Sequence, residues 1–367
     1  HDRVSESTPD HPVLLTHASY HAVFANEAAM KIAGIDDETA DPSGGTILRH
    51  ADGKATGTFL EKAGGLIQRA KSRSQSGLDS DMTRQRFAKA VELATQECWK
   101  HGVTTFSDAG LSVSAAKRLI QLAEKDGLGM RVHVMIRDSN ENLRRHLADL
   151  RRVDSADGFL TIRGIKKSID GALGSHGAWL LQPYQDRPAS RGLATLTVQQ
   201  VQEAAEIAIE HDYQLCVHAI GDRANRETLD IFEQTAGDEN LVERRWRIEH
   251  AQHLHPDDIP RFGRLGVIAS IKGVHCTSDS VFVPARLGYR RSAEGAFVWR
   301  SLIESGALLC NGTDAPVESI SAFECLQSSV TRTAKETEAF FPDQAMTRDE
   351  ALASYTINAA RALFAEA

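Results

Sequence analysis

From about residue 100 onward, short apolar runs alternate with segments whose apolar residues recur at helical spacing, the pattern of a parallel sheet wrapped by helices. The β-type runs are Val103 to Asp108, Met130 to Ile136, Ile162 to Ile169, Gln214 to Ile220, Trp246 to His250, Gly266 to Ile271 and Ala307 to Asn311. Ahead of them, Phe87, Val91, Ala94 and Cys98 recur at i, i+4, i+7 and i+11, which predicts an amphipathic helix stopped by Gly102. Thr197 with Gln200, and Thr347 with Glu350, read as capping boxes that open two further helices.

Residues 10 to 75 break this rhythm. Asp41-Pro42 and the glycine pairs Gly44-Gly45 and Gly64-Gly65 punctuate short elements, with weakly helical stretches near Ala28 to Ala33 and Leu60 to Ala70. Residues 1–75 are therefore expected to form an inserted lid-like subdomain and residues 76–367 an α/β barrel of the TIM type. A closed (β/α)8 barrel has eight strands and no edge, so the seven runs are expected to be strands 2–8. The first strand is expected to be absent from this chain, which opens at His1 without an initiator methionine.

With 367 residues, 41% hydrophobic and 25% charged, the chain can bury the core of one large catalytic domain without needing a second. A formal charge of -8 and dispersed basic residues argue against nucleic acid or an anionic membrane as partner. No apolar stretch reaches the roughly 18 residues of a membrane span, and no basic-then-apolar leader opens the sequence. The five cysteines (Cys98, Cys216, Cys276, Cys310, Cys325) are odd in number and form no CxxC pair, which disfavours a disulfide framework or a cysteine-zinc site. A reducing, cytoplasmic setting and a small-molecule partner are expected, with homo-oligomerisation left open.

The chemistry gathers where three runs end. Cys216-Val217-His218-Ala219-Ile220-Gly221-Asp222, Arg247-Ile248-Glu249-His250-Ala251-Gln252 and Cys310-Asn311-Gly312-Thr313-Asp314-Ala315-Pro316-Val317 each carry a polar residue between an apolar run and a turn or helix signal. An α/β barrel presents its catalytic side chains there. Neutral imidazoles and a carboxylate suit zinc or a similar divalent ion, so His218, His250 and Asp314 are candidate ligands. One histidine ending a strand is more often a satisfied polar residue; the shared placement of three ligand-type residues favours the metal reading. Asp222 could cap the next helix or orient His218, and capping is favoured.

Ile165-Lys166-Lys167-Ser168-Ile169 places two lysines inside an apolar strand, where an ammonium is costly unless paired or chemically altered. Neighbouring strand residues face opposite sides, so only one can line the barrel, and periodicity leaves open which. His133, in mid-strand, is expected to pack in the core. His275, just past the sixth run, is a candidate for the pocket, and His17 and His21 for the lid or for one exposed helix face. Gly171 to Gly177 is a glycine-rich turn without the lysine-serine ending of a phosphate-binding loop.

These motifs, together with Thr8-Pro9-Asp10-His11-Pro12-Val13, His21-Ala22-Val23-Phe24-Ala25-Asn26, Thr56-Gly57-Thr58, Gly102-Val103-Thr104-Thr105, Lys166 to Gly174 and Tyr355 to Ala360, cover nearly the whole chain. In them the sequence resembles the amidohydrolase superfamily, particularly its family-3 branch of metal-dependent hydrolases. The resemblance implies a (β/α)8 barrel with a His-x-His pair on the first strand, a carboxylated lysine on the fourth, histidines on the fifth and sixth, and an aspartate on the eighth. Carried over, the metal ligands are Lys166, His218, His250 and Asp314; Lys166 is preferred because it precedes Asp170-Gly171 by four residues, as the family's lysine does. Lys167 is then expected to point at the surrounding helices or a salt bridge. The first-strand His-x-His and both halves of the family's terminal β-sandwich are expected to lie outside this sequence. Tyr20, His176 and Lys272-Gly273 depart from the family's usual glycine, arginine and Gln-Pro.

The implied activity is hydrolysis of a C-N bond, in an amide or cyclic amide, by a metal-activated hydroxide. One or two divalent ions, most simply zinc, are expected; a carboxylated Lys166 would bridge two. Asp314 would move the proton and His275 stabilise the oxyanion. An esterase or deaminase is the alternative within enzymes. A catalytically silent barrel used for binding or assembly is the alternative outside them.

Overall fold

The computed structural model describes residues 1–17, 20–75, 80–237, 241–334 and 338–366. Its first sheet is small and antiparallel, ordered β1-β2-β4-β3, from β1 (Leu14–Thr16), β2 (Ala22–Ala25), β3 (Gly45–Arg49) and β4 (Ala55–Glu61). Alternation in β4 sends Ala55, Gly57 and Phe59 inward. Phe59 meets Val23, Ile47, Met30 and Ile67 in a core separate from the main one, supplied partly by the helices Glu27–Ala33 and Gly64–Gln75. Asn26 caps the first of these helices by accepting from Ala29 N, and Gly34 ends it at φ 68. The division expected after residue 75 falls beside residues 76–79, outside the described set.

The main sheet has one strand for each run read from the sequence: β5 (Thr105–Leu111), β6 (Arg131–Ile136), β8 (Leu160–Ser168), β9 (Gln214–Ala219), β10 (Arg247–His250), β11 (Ile268–Ile271) and β12 (Leu309–Asn311). They are all parallel, in the order β12-β11-β10-β9-β8-β6-β5, and the sheet curls as in a TIM-like barrel. The short β7 (Arg152–Asp154) folds back antiparallel on β8, with Arg152 opposite Ile162, and β8 begins two residues before its apolar run. All six residues of β9 are buried, as a strand covered on both faces requires.

The helices follow their sequence signals. Ser80–Lys100 carries the Phe87 to Cys98 repeat, and both capping boxes form, at Thr197 for Val198–Glu210 and at Thr347 for Arg348–Tyr355. Fully buried Trp246 meets Phe232 edge-on, centroids 5.0 Å apart, which ties β10 to the helix Asp222–Ala236. Rings of this size dominate core energetics. All five cysteines are buried and free. Among the described residues, no helix is long and apolar enough to cross a membrane.

Two buried histidines contribute stability that is lost in acid. Burial, with Arg247 and Arg163 nearby, holds His133 down to about 3 from 6.5, and burial alone does the same to His253. The unfolded chain therefore binds more protons between those values, so this stability is present above pH 6.5 and lost as pH falls towards 3. Because burial also raises Asp170 and Asp279 to about 7, which acts in the opposite direction, the test is a comparison with His133→Gln: in denaturant titrations the change in stability from pH 7 to pH 5 is expected to be about 2 kcal/mol more unfavourable in wild type than in the variant. The same pH dependence in wild type and His133→Gln would contradict burial of a neutral imidazole at His133.

Candidate metal centre

Strand register decides which residues line the barrel interior. Lys166, Cys216, Arg247 and Ile268 lie side by side in one row, and Ser168, His218, Glu249, Ser270 and Cys310 form the next row on the same face. Lys167 falls on the opposite face, where its ammonium donates to the carbonyl of Asp138 at 2.8 Å. Lys166 has Glu249, Lys272 and Asp314 as charged neighbours.

His250 reaches this centre by breaking register. It pairs with Ala219, one position off the inward rows, so a regular strand would turn its ring towards the helices. Instead the backbone enters the left-handed region at His250 (φ 75) and Ala251 (φ 42), and the ring comes to rest edge-on to His218 with centroids 4.5 Å apart. Asp314 is left-handed too (φ 58), and its Oδ2 lies 4.0 Å from His250 Nε2. Such conformations cost about 1–3 kcal/mol each and gather where function demands them. His275, in the short helix Gly273–Asp279, stacks on His250 at 5.7 Å, and one donor atom each from His250, His275 and Asp314 lies within 4.8 Å of the others.

The imidazoles suit a divalent cation. Burial, reinforced by neighbouring cations and imidazoles, holds His218 and His250 well below the usual histidine range, so both are neutral with lone pairs available. His218 Nε2, His250 Nδ1 and His275 Nε2 are buried without a hydrogen-bond partner among the described residues. Buried orphan nitrogens are costly, and an ion would satisfy any whose lone pair faces it; at His250 the nitrogen towards Asp314 is Nε2. Asp170 Oδ1 lies 3.5 Å from His218 Nε2 and is itself fixed by the backbone N–H groups of Trp179, Ile220 and Gly221.

A charge lattice underlies these donors. Glu249 accepts from Ser270 Oγ at 2.6 Å and Lys272 Nζ at 3.0 Å, and lies 3.1 Å from Arg247 Nε. Burial alone would raise the Glu249 carboxyl, but Lys272, Arg247 and Lys166 outweigh it and hold it well below the usual range. Burial pushes Lys166 down to about 8.

The small sheet contributes from above. Glu61, at the end of β4 with φ 50, accepts from His21 Nδ1 at 2.8 Å, and the His21 ring lies 5.3 Å from that of His218. Glu61 fits because Gly171 and Gly177 have no side chain: a Cβ at either would come within 2.5 Å of its Oε1. Beside it opens a cavity of about 180 Å³, lined from the small sheet by Thr46, Leu48 and Leu60 and from the barrel by Ser175, His176 and Arg187.

The structure thus brings together His218, His250, Asp314 and His275, with Lys166 one register row below His218. Asp222 does not join them; its Oδ1 accepts from Leu181 N and Arg223 N at the start of the helix Asp222–Ala236. Sequence reasoning missed Glu61 and the role of Asp170. It also passed over Glu249 and Arg247, although two charges alternating inside the run Arg247 to His250 were a readable sign of an inward polar row.

Imidazoles and a carboxylate converging at the C-terminal rim of a curled parallel sheet define a TIM-like fold with a candidate metal centre. The amidohydrolase family pattern matches residues 1–367, and the chain belongs to that family, in its family-3 branch. It is 32% identical over 98% of its length to the protein LONG AFTER FAR-RED 3 of Arabidopsis thaliana, and 28% identical over 98% to the N-substituted formamide deformylase of Arthrobacter pascens. It spans 62% and 66% of those two proteins. An uncharacterized metal-dependent hydrolase from Pyrococcus horikoshii OT3 superposes with a TM-score of 0.77 at 25% identity, over 99% of this chain and 69% of that one.

Proposed function

We propose that this chain is the catalytic barrel of a metal-dependent hydrolase that cleaves a C-N bond in a small amide or cyclic amide. The observation that carries the reading is the convergence of His218, His250 and Asp314, with buried imidazole nitrogens left unpartnered. Nitrogen and oxygen donors without thiolate, at a site partly open through Asp314, suit zinc. A divalent ion held by His218, His250 and Asp314 would lower the pKa of water towards about 7 and polarise the substrate carbonyl.

The chain's own residues supply the rest. His218 and His250 hold neutral lone pairs in place. Asp314, with 29% of its side chain exposed, takes the proton of the attacking nucleophile and returns it to the leaving nitrogen. Lys166 faces the same interior, and its lowered pKa enlarges the fraction of free amine that carboxylation needs. Lys167 is pushed to the same value, so orientation and not basicity selects Lys166. The cavity beside Glu61, whose carboxylate is bonded to His21, gives the substrate room between the small sheet and the barrel.

The test is turnover of a panel of amides, cyclic amides, esters and amino-substituted heterocycles by the complete, zinc-loaded protein. Hydrolysis of an amide or cyclic amide is expected. Turnover confined to esters or to deamination would move the reaction to another bond, and metal binding without any turnover would favour a silent barrel.

A further inference from the structure

We infer that His275 is also a protein ligand of the ion, forming with His250 and Asp314 a group of three donors beside His218; this rests on the metal centre proposed above. Ligand distances of about 2.0–2.2 Å place donor atoms roughly 3.3–3.6 Å apart around a tetrahedral ion. The donor atoms of His250, His275 and Asp314 already lie within 4.8 Å of one another, so a small inward adjustment closes the set.

His275 is built into this position. Its helix starts at Gly273, whose N–H donates to Asn311 Oδ1 at 2.9 Å at the end of β12. A Cβ at Gly273 would come within 2.4 Å of Ser329 Oγ and 2.7 Å of the Cys325 carbonyl, so glycine lets the helix begin this close to the sheet. The ring then lies nearly parallel to His250, 14° between planes, and its Nε2 is buried with no partner among the described residues. Lys272 precedes the helix with its ammonium bonded to Glu249 and Ser270. That cation is held in the lattice. An oxyanion-stabilising histidine needs an N–H where a ligand needs a lone pair, so the two roles of His275 separate experimentally.

The test compares the complete wild-type protein with His275→Gln, using zinc itself as probe in competition with a chromophoric chelator. The variant is expected to bind zinc at least about 10-fold more weakly, since even residues behind the ligands alter affinity by 10–100-fold. Unchanged zinc affinity with reduced turnover would overturn the inference and return His275 to the oxyanion. No zinc binding by wild type would sink the metal centre together with it. Should His275→Gln fail to fold, zinc-edge anomalous diffraction from wild-type crystals decides: a peak about 2.0–2.2 Å from a His275 ring nitrogen is expected. A zinc peak bonded to His250 and Asp314 alone would overturn the inference.

Discussion

Asp314→Asn is expected to lower kcat for the best amide substrate by about 10²–10⁴-fold, the usual contribution of a positioned proton-transfer group. Asparagine keeps the shape of the side chain and tolerates the left-handed backbone at this position (φ 58), so the turn after β12 is retained. The backbone bond from Val317 N to Asp314 O, 2.8 Å, is likewise untouched by the exchange. What disappears is the anionic charge and the capacity to carry a proton from nucleophile to leaving nitrogen. A thermal midpoint close to wild type should accompany the loss. Turnover within a few-fold of wild type would place proton transfer on another residue.

The main sheet was legible because its signals are local. Each β-type run lies between helices with their own periodicity, and the Thr197 and Thr347 capping boxes each need only four residues. The small sheet was less so: β1 to β4 are three to seven residues long, and turn punctuation marked their ends without revealing their pairing. In the site, His218 follows from plain strand alternation. His250 does not, since its place depends on a left-handed break that no periodicity records. The choice between Lys166 and Lys167 needed the register with Cys216 and Val217. Glu61 was out of reach because its contacts with His21, 40 positions away, and with Gly171 and Gly177 exist only after the small sheet docks on the barrel.

Removal of the ion should have the largest effect of all. His218, His250 and Asp314, joined by His275, would hold it, and activation of water depends on it. The direct test is to measure bound metal by elemental analysis alongside amide hydrolysis while the complete protein is stripped with a chelator and then titrated with zinc. Hydrolysis is expected to disappear with the ion and to return in step with zinc bound to the chain. Undiminished hydrolysis by protein shown to be metal-free would contradict this dependence.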